Sequence, residues 1–375
     1  MSVFQPFLME RFMSKYEQEV EYNLSESGVH PMTLDELLEL NPVMKDKLLA
    51  TEINYPHANG IPELRENIAS MYNGATAENV LVTVGAIEAN FNSVTTVLDK
   101  GDEIVVMLPN YMQIWGVAKN HDYVIKTFSL REDHDWKPDL DELENVVSES
   151  TKMIAVCNPN NPTGYVLTEP EMNTIIRVAE KVGAWILADE VYAGAEQFTD
   201  EVTPSFYGKY NRVIAVGSMS KSYGLPGLRL GWLVGPTDVV DAIWARHEYT
   251  TISASMLSNK LAALALSKKV LPLIRKRARD YIRKGFPVLQ GWMNEHPGLF
   301  TCVPPQAAAI AFIKYNLDIN STEFTERLVH EKSVLIVPGD HFGMDRFLRI
   351  SFGLPKDYVE GGLARIHELI REILK

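Results

Sequence analysis

Between Asn79 and Val234 the chain alternates short, uninterrupted apolar runs with longer stretches of helical periodicity. The runs 80–84, 103–108, 124–128, 152–157, 185–188, 213–216 and 230–234 read as strands, and 86–98 and 169–182 read as helices. A strand wetted on one face alternates apolar and polar side chains, whereas a strand covered on both faces is apolar throughout. These continuous runs predict an α/β chain with a mostly parallel central sheet covered by helices. After about Asp238 the pattern changes. Helical periodicity dominates to about Met293, and short strands (309–313, 334–337, 347–351) then mix with helices, the last spanning about 358–374. The expected organisation is an N-terminal arm (1–45), a large domain (46–270) and a smaller α/β domain (271–375) on which the arm packs.

Composition narrows the function classes. With 375 residues, 46% hydrophobic and 23% charged, the chain has the make-up and length of a globular protein with a substantial core. A net charge of −13 repels phosphate backbones, which argues against nucleic-acid binding. The two cysteines, Cys157 and Cys302, cannot build a disulfide framework or a four-cysteine zinc site, and they fit a reducing, cytoplasmic setting. The nine histidines are scattered without ligand spacing, so no metal is expected. No run of 18 apolar residues predicts a membrane span. Near the N-terminus, Glu10, Arg11 and Lys15 interrupt Phe4, Phe7, Leu8 and Phe12; this predicts an amphipathic arm on the body and no signal-peptide core.

Five constellations carry chemistry, four of them directly after a strand and one inside a strand. Ser218-Met-Ser220-Lys221-Ser-Tyr-Gly224-Leu-Pro-Gly227-Leu-Arg229 sets a lysine beside two hydroxyls and a glycine-rich turn. Such a lysine could grip a phosphate, form a Schiff base with an aldehyde, or be a solvated loop residue. Asp189 and Tyr192 follow the run 185–188, where a carboxylate can hold a ring nitrogen protonated or simply sit in a loop. Asn158-Pro-Asn-Asn161-Pro-Thr-Gly164 specifies a rigid turn able to aim an amide. Gly85-Ala86-Ile87 puts small residues at a helix start, where free N–H groups attract phosphate, although it is neither GxGxxG nor a Walker loop. Arg349 lies inside the apolar run 347–351, which is costly unless it meets a carboxylate, either internal or from a ligand.

Together and in this order, Asn158–Gly164, the stretch 188–192 (ADEVY) and the stretch 218–232 (SMSKSYGLPGLRLGW) resemble the class I/II aminotransferases of pyridoxal-phosphate fold type I, over essentially the whole chain. The resemblance implies pyridoxal 5′-phosphate as cofactor and transfer of an amino group between an amino acid and a 2-oxo acid. It makes Lys221 the Schiff-base lysine and proton carrier, and Asp189 the partner of the pyridinium nitrogen. Tyr192 and Asn161 become donors to the ring oxygen O3′, and Tyr111 the ring-stacking aromatic. Ala86, Ile87, Ser218, Ser220 and Arg229 become the phosphate cup. Arg349, with Asn161 and the Gly28-Val29 turn, becomes the clamp for the substrate carboxylate. Tyr55 matches the tyrosine that reaches a neighbouring subunit's phosphate, implying a homodimer with shared sites. A second arginine for a distal carboxylate is not evident. A side-chain pocket of Tyr16, Trp115 and residues near Phe342 would favour neutral or aromatic substrates. The cations Lys221, Arg229 and Arg349 predict a positive pocket in an acidic body. A weaker local resemblance links the segments 21–29 and 247–251 to the capreomycidine-synthase-like branch, which processes arginine derivatives by elimination or oxidation. In that reading Glu17 or Glu26 would meet a guanidinium.

Overall fold

The apolar runs assemble into one eight-stranded sheet in a computed structural model that describes residues 4–375; Met1, Ser2 and Val3 of the arm lie outside the described residues. A short strand β1 (Tyr22–Asn23) precedes it. The sheet comprises β2 (Val80–Thr83), β3 (Glu103–Leu108), β4 (Val124–Arg131), β5 (Lys137–Pro138), β6 (Thr151–Cys157), β7 (Trp185–Asp189), β8 (Val213–Ser218) and β9 (Gly231–Val234), in the order β2-β9-β8-β7-β6-β3-β4-β5. The central pairs β4/β3, β3/β6, β6/β7 and β7/β8 are parallel. β9 runs antiparallel to both β8 and β2. The connection from Met219 to Leu230 contains no crossover helix, so the chain can return beside β8 only in the opposite direction.

Side chains of β6 alternate between the two faces as the pleat requires. Ile154 and Val156 pack with Met172, Ile175 and Ala179 of the helix Glu169–Val182. Met153 and Ala155 pack with Ala89 and Val94 of the helix Gly85–Val97 and with Val239 and Ile243 of the helix Thr237–His247. The helix Glu169–Val182 begins at a reciprocal cap between Thr168 and Glu171 and stops at Gly183 in the left-handed region, matching the predicted span.

A second, antiparallel sheet orders β10 (Phe300–Thr301), β11 (Ile310–Tyr315), β13 (Val337–Pro338) and β14 (Phe347–Ser351) as β10-β11-β14-β13, and helices Leu271–Asn294 and Lys356–Ile373 pack on it. The run 334–337, expected as one strand, is split. β12 (Val334–Leu335) pairs in parallel with β1, while β13 joins β14. Pro338 lacks an N–H and can serve only at an edge, which fits the position of β13. The β1–β12 pairing joins the N-terminal arm to the C-terminal third. No helix among the described residues is long and apolar enough to cross a membrane.

Candidate active site

The carboxyl ends of β3, β6, β7 and β8 open onto one crevice, the place where parallel α/β sheets collect ligands. A cavity of about 270 Å³ lies there. Its walls include Ala86, Ile87, Tyr111, Asn161, Asp189, Tyr192, Ser218, Ser220, Lys221 and Arg229, which are ten of the positions singled out from sequence.

Asp189 ends β7 and is 6% exposed. Its Oδ2 accepts from Asn90 Nδ2 at 2.9 Å and its Oδ1 from the Val191 N–H at 3.3 Å. Burial pushes its carboxyl above the ordinary value, against the opposing pull of those donors and the Lys221 charge. A buried carboxylate with this deficit gains most from a cationic partner. Asn90 is held in turn by Gln113 Oε1 at 3.2 Å, and its own Oδ1 has no partner.

The helix Gly85–Val97 has no side-chain cap at Val84, which leaves the first N–H groups open toward the cavity. Ser218 Oγ accepts from the Ser220 N–H at 3.0 Å. Arg229, itself left-handed at φ 46°, donates to Pro226 O at 3.1 Å and Ser220 Oγ at 3.4 Å. The approach is close: a Cβ on Gly231 would lie 2.4 Å from the Ala86 nitrogen, so only glycine lets β9 abut the helix start. Uncapped N–H groups, two hydroxyls and a guanidinium form an anion cup.

Arg349 on β14 is 1% exposed, and no carboxylate lies within ion-pair distance of it among the described residues. It donates to Asn161 Oδ1 at 3.1 Å and the Ser25 carbonyl at 2.5 Å, touches the sulfurs of Met9 (3.5 Å) and Met13 (3.8 Å), and leaves Nε unpartnered. Burial pulls it below the ordinary guanidinium value. The internal ion pair that the sequence allowed is absent, and a buried cation of this kind calls for an anionic ligand. Because Asn161 spends its Oδ1 on Arg349, its amide NH₂ is the end left to a ligand. Tyr192 donates to Ser27 Oγ at 2.9 Å. Gly28 packs on Lys221, where an added Cβ would sit 2.9 Å from the Ser220 carbonyl oxygen, and the Val29 N–H donates to Lys221 O at 3.3 Å. Gly28, Val29 and Arg349 thus border the site without lining the cavity wall. Tyr55 is 81% exposed and away from it.

The structure corrects two sequence expectations. Tyr16 packs edge-on against Phe12 and His330, and Trp115 lies in a separate cleft with Phe4–Leu8, so neither lines the cavity; Phe342 instead lies under the Arg349 guanidinium at 5.6 Å. The pocket is also not simply cationic, because Glu10, Glu17 and Glu26 line it. Glu10 accepts from Tyr111 Oη at 2.6 Å. Burial, with the charges of Glu26 and Glu10, raises the Glu17 carboxyl. Glu10, Ser27, Asn90 and Gln113 were not singled out from sequence. Asn90 shares its buried helix side with Glu88, Asn92 and Ser93, so its polarity alone gave no distinguishing signal. Cys157, expected in the core, is 1% exposed and also borders the cavity, with its thiol raised well above its ordinary value by burial.

Behind Asp189, Glu190 is 5% exposed and accepts from Ser205 Oγ and the Phe206 N–H, both at 2.9 Å. Burial outweighs these donors and pushes its carboxyl up to about 8, from an ordinary 4.5. The folded state therefore keeps a proton that the unfolded chain releases, and stability falls as pH rises through that interval. Glu190→Gln keeps the acceptor without the charge. It should match the wild-type thermal midpoint at pH near 4.5 and exceed it by several degrees above pH 8. Parallel pH profiles for the two proteins would refute a protonated Glu190.

The sequence matches the family described as aminotransferase class I and II over residues 33–366. It is 31% identical over 355 residues to the capreomycidine synthase of Streptomyces vinaceus, covering 92% of this chain and 89% of the relative. It is 30% identical over 329 residues to the aspartate aminotransferase of Thermotoga maritima, covering 85% and 84%. The crystal structure of a PLP-dependent aminotransferase from Streptococcus suis 89-1591 superposes with a TM-score of 0.92 at 30% identity, covering 99% of both chains.

Proposed function

The chain belongs to the class I and II aminotransferase family, whose cofactor is pyridoxal phosphate, and on that premise we propose that it moves an amino group between an amino acid and a 2-oxo acid. The observation that carries this reading is the meeting of Lys221, Asp189, Tyr192 and Asn161 around one cavity, with the buried, unpaired Arg349 against Asn161. When bound, the cofactor supplies an aldehyde that condenses with amines and a ring that accepts the electrons of a broken Cα–H bond. The Ala86 and Ile87 N–H groups, Ser218, Ser220 and Arg229 would hold its phosphate. Asp189 would keep a proton on the ring nitrogen, the Asn161 amide and the Tyr192 hydroxyl, turned from Ser27 Oγ, would donate to the ring oxygen, and Tyr111 would cover one ring face. Arg349, with the Gly28-Val29 turn, would orient the substrate through its carboxylate. Lys221 Nζ would take the Cα proton and return it to the carbon of the cofactor's aldehyde, two bonds away.

Tyr55 lies with Val43, Leu49 and Ile53 in one exposed stretch, and Tyr249 and Ile252 are exposed as well. These apolar side chains support a homodimer in which Tyr55 reaches the neighbouring site. The separate sheets support the division into an arm (1–45), a large domain (46–270) and a small domain (271–375). The free thiols Cys157 and Cys302 fit a cytoplasmic setting.

A second reading is favoured by the three glutamates in the cavity wall. They suit an amino acid with a cationic side chain, processed in the manner of the capreomycidine synthase relative without an amino acceptor. One experiment separates the two. The cofactor-loaded enzyme is incubated with a panel of amino acids, arginine included, with and without a 2-oxo acid. A new amino acid formed from the 2-oxo acid supports transamination. Oxygen uptake, or a cyclised or eliminated product in the absence of acceptor, overturns it in favour of the second reading. If arginine is the substrate, Glu17→Gln and Glu26→Gln should each raise its KM roughly tenfold and leave KM for neutral amino acids unchanged.

A further inference from the structure

Glu88 and His247 form a buried pair, 8% and 0% exposed, to which the reading above gives no task. Glu88 stands in the first turn of the helix Gly85–Val97, and His247 ends the helix Thr237–His247. His247 Nδ1 lies 3.0 Å from Glu88 Oε1, and its Nε2 lies 3.2 Å from the Ala58 carbonyl oxygen. A neutral imidazole has one N–H and one lone pair, so it can satisfy only one of these acceptors; the imidazolium satisfies both. Glu88 Oε1 also accepts from the Thr250 and Thr251 hydroxyls, and Oε2 accepts from the Val84 N–H at 2.7 Å. Burial pushes the Glu88 carboxyl up, but hydrogen bonds from His247, Thr250 and Val84 outweigh it and hold the group at about 2. Glu88 is thus an anion. It sits in the same helix turn as Ala86 and Ile87, whose N–H groups would take the phosphate.

Two anions at one helix N-terminus compete for the same positive end. Yet the Glu88 carboxylate cannot simply be dispensed with, because it fixes the strand-to-helix turn through Val84. We propose that His247 is a positioning residue, held as an imidazolium, that cancels the Glu88 charge and so keeps the helix start open to a phosphate while Glu88 shapes the turn. Through Ala58, the same ring anchors the loop that carries Tyr55. The inference rests on the phosphate assignment made above.

The test titrates the apoenzyme with pyridoxal phosphate and with pyridoxal, which has the same ring and no phosphate. Arg229→Gln is the control for the phosphate assignment: it should narrow the gap between the two affinities, and an unchanged gap would sink that assignment independently of His247. His247→Gln should weaken pyridoxal phosphate roughly tenfold or more and leave pyridoxal unchanged. The double variant Glu88→Gln/His247→Gln should recover most of the loss. Equal weakening of both ligands, the mark of a purely structural role, or no recovery in the double variant, overturns the inference. Should His247→Gln fail to fold, Glu88→Gln decides alone. It removes the anion, so it should bind pyridoxal phosphate at least as tightly as wild type; weaker binding overturns the inference.

Discussion

Lys221→Ala is expected to yield a folded protein that binds pyridoxal phosphate without the visible absorbance of a lysine-linked cofactor, and with turnover lower by a factor of about a thousand or more. The position explains the size of the effect. Lys221 lies three residues beyond the end of β8, and its backbone is fixed by the Val29 N–H and by Gly28 packed against it, so its amine enters the cavity from a rigid base. An alanine there removes both the covalent anchor and the group placed to carry the proton, and no other lysine among the described residues lines the cavity to replace it. The side chain is not part of the core, so the thermal midpoint of the apoprotein should barely move. Visible absorption spectra and single-turnover kinetics read the outcome. An unchanged spectrum, or a rate within about tenfold of wild type, would refute the assignment.

Asp189→Ala is expected to retain weak cofactor binding and lose most of the rate, on the order of a hundredfold to ten-thousandfold. The carboxylate is buried, oriented by Asn90 and the Val191 N–H, and short of a cationic partner. A ring nitrogen that keeps its proton there would satisfy that need, and the proton is what lets the ring withdraw electrons. Without Asp189 the phosphate cup and Lys221 remain, so binding should weaken while kcat collapses. The comparison to make is the cofactor dissociation constant against kcat for the same variant. A near-wild-type kcat would count against the role, and loss of kcat that saturating cofactor fully restores would reduce Asp189 to a binding residue.

Much of this site was legible in the sequence because parallel sheets present their functional residues in loops right after strands, and the strands announce themselves as apolar runs. Asn161, Asp189, Ser218, Ser220 and Lys221 all follow or end such a run. Arg349 was legible for the opposite reason, as a charge where the pattern demanded an apolar residue. The antiparallel course of β9 and the splitting of 334–337 between two sheets were not legible, since pairing direction and partner depend on the connection and the edge rather than on local composition.

By itself the sequence determined the layered α/β fold and, through the resemblance its motifs carry, the cofactor and the residues proposed to hold it, because apolar periodicity and short motifs are local properties of the chain. Only the tertiary structure decided what surrounds that chemistry. It brought Asn90 to Asp189 across 99 positions, Ser27 to Tyr192 across 165, and Glu88 to His247 across 159. It denied Arg349 an internal carboxylate, and it lined a pocket expected to be cationic with Glu10, Glu17 and Glu26. Those contacts join segments far apart in the chain. Their energies come from burial, which lowers the local dielectric and makes each missing or added partner count, and burial exists only once the chain has folded.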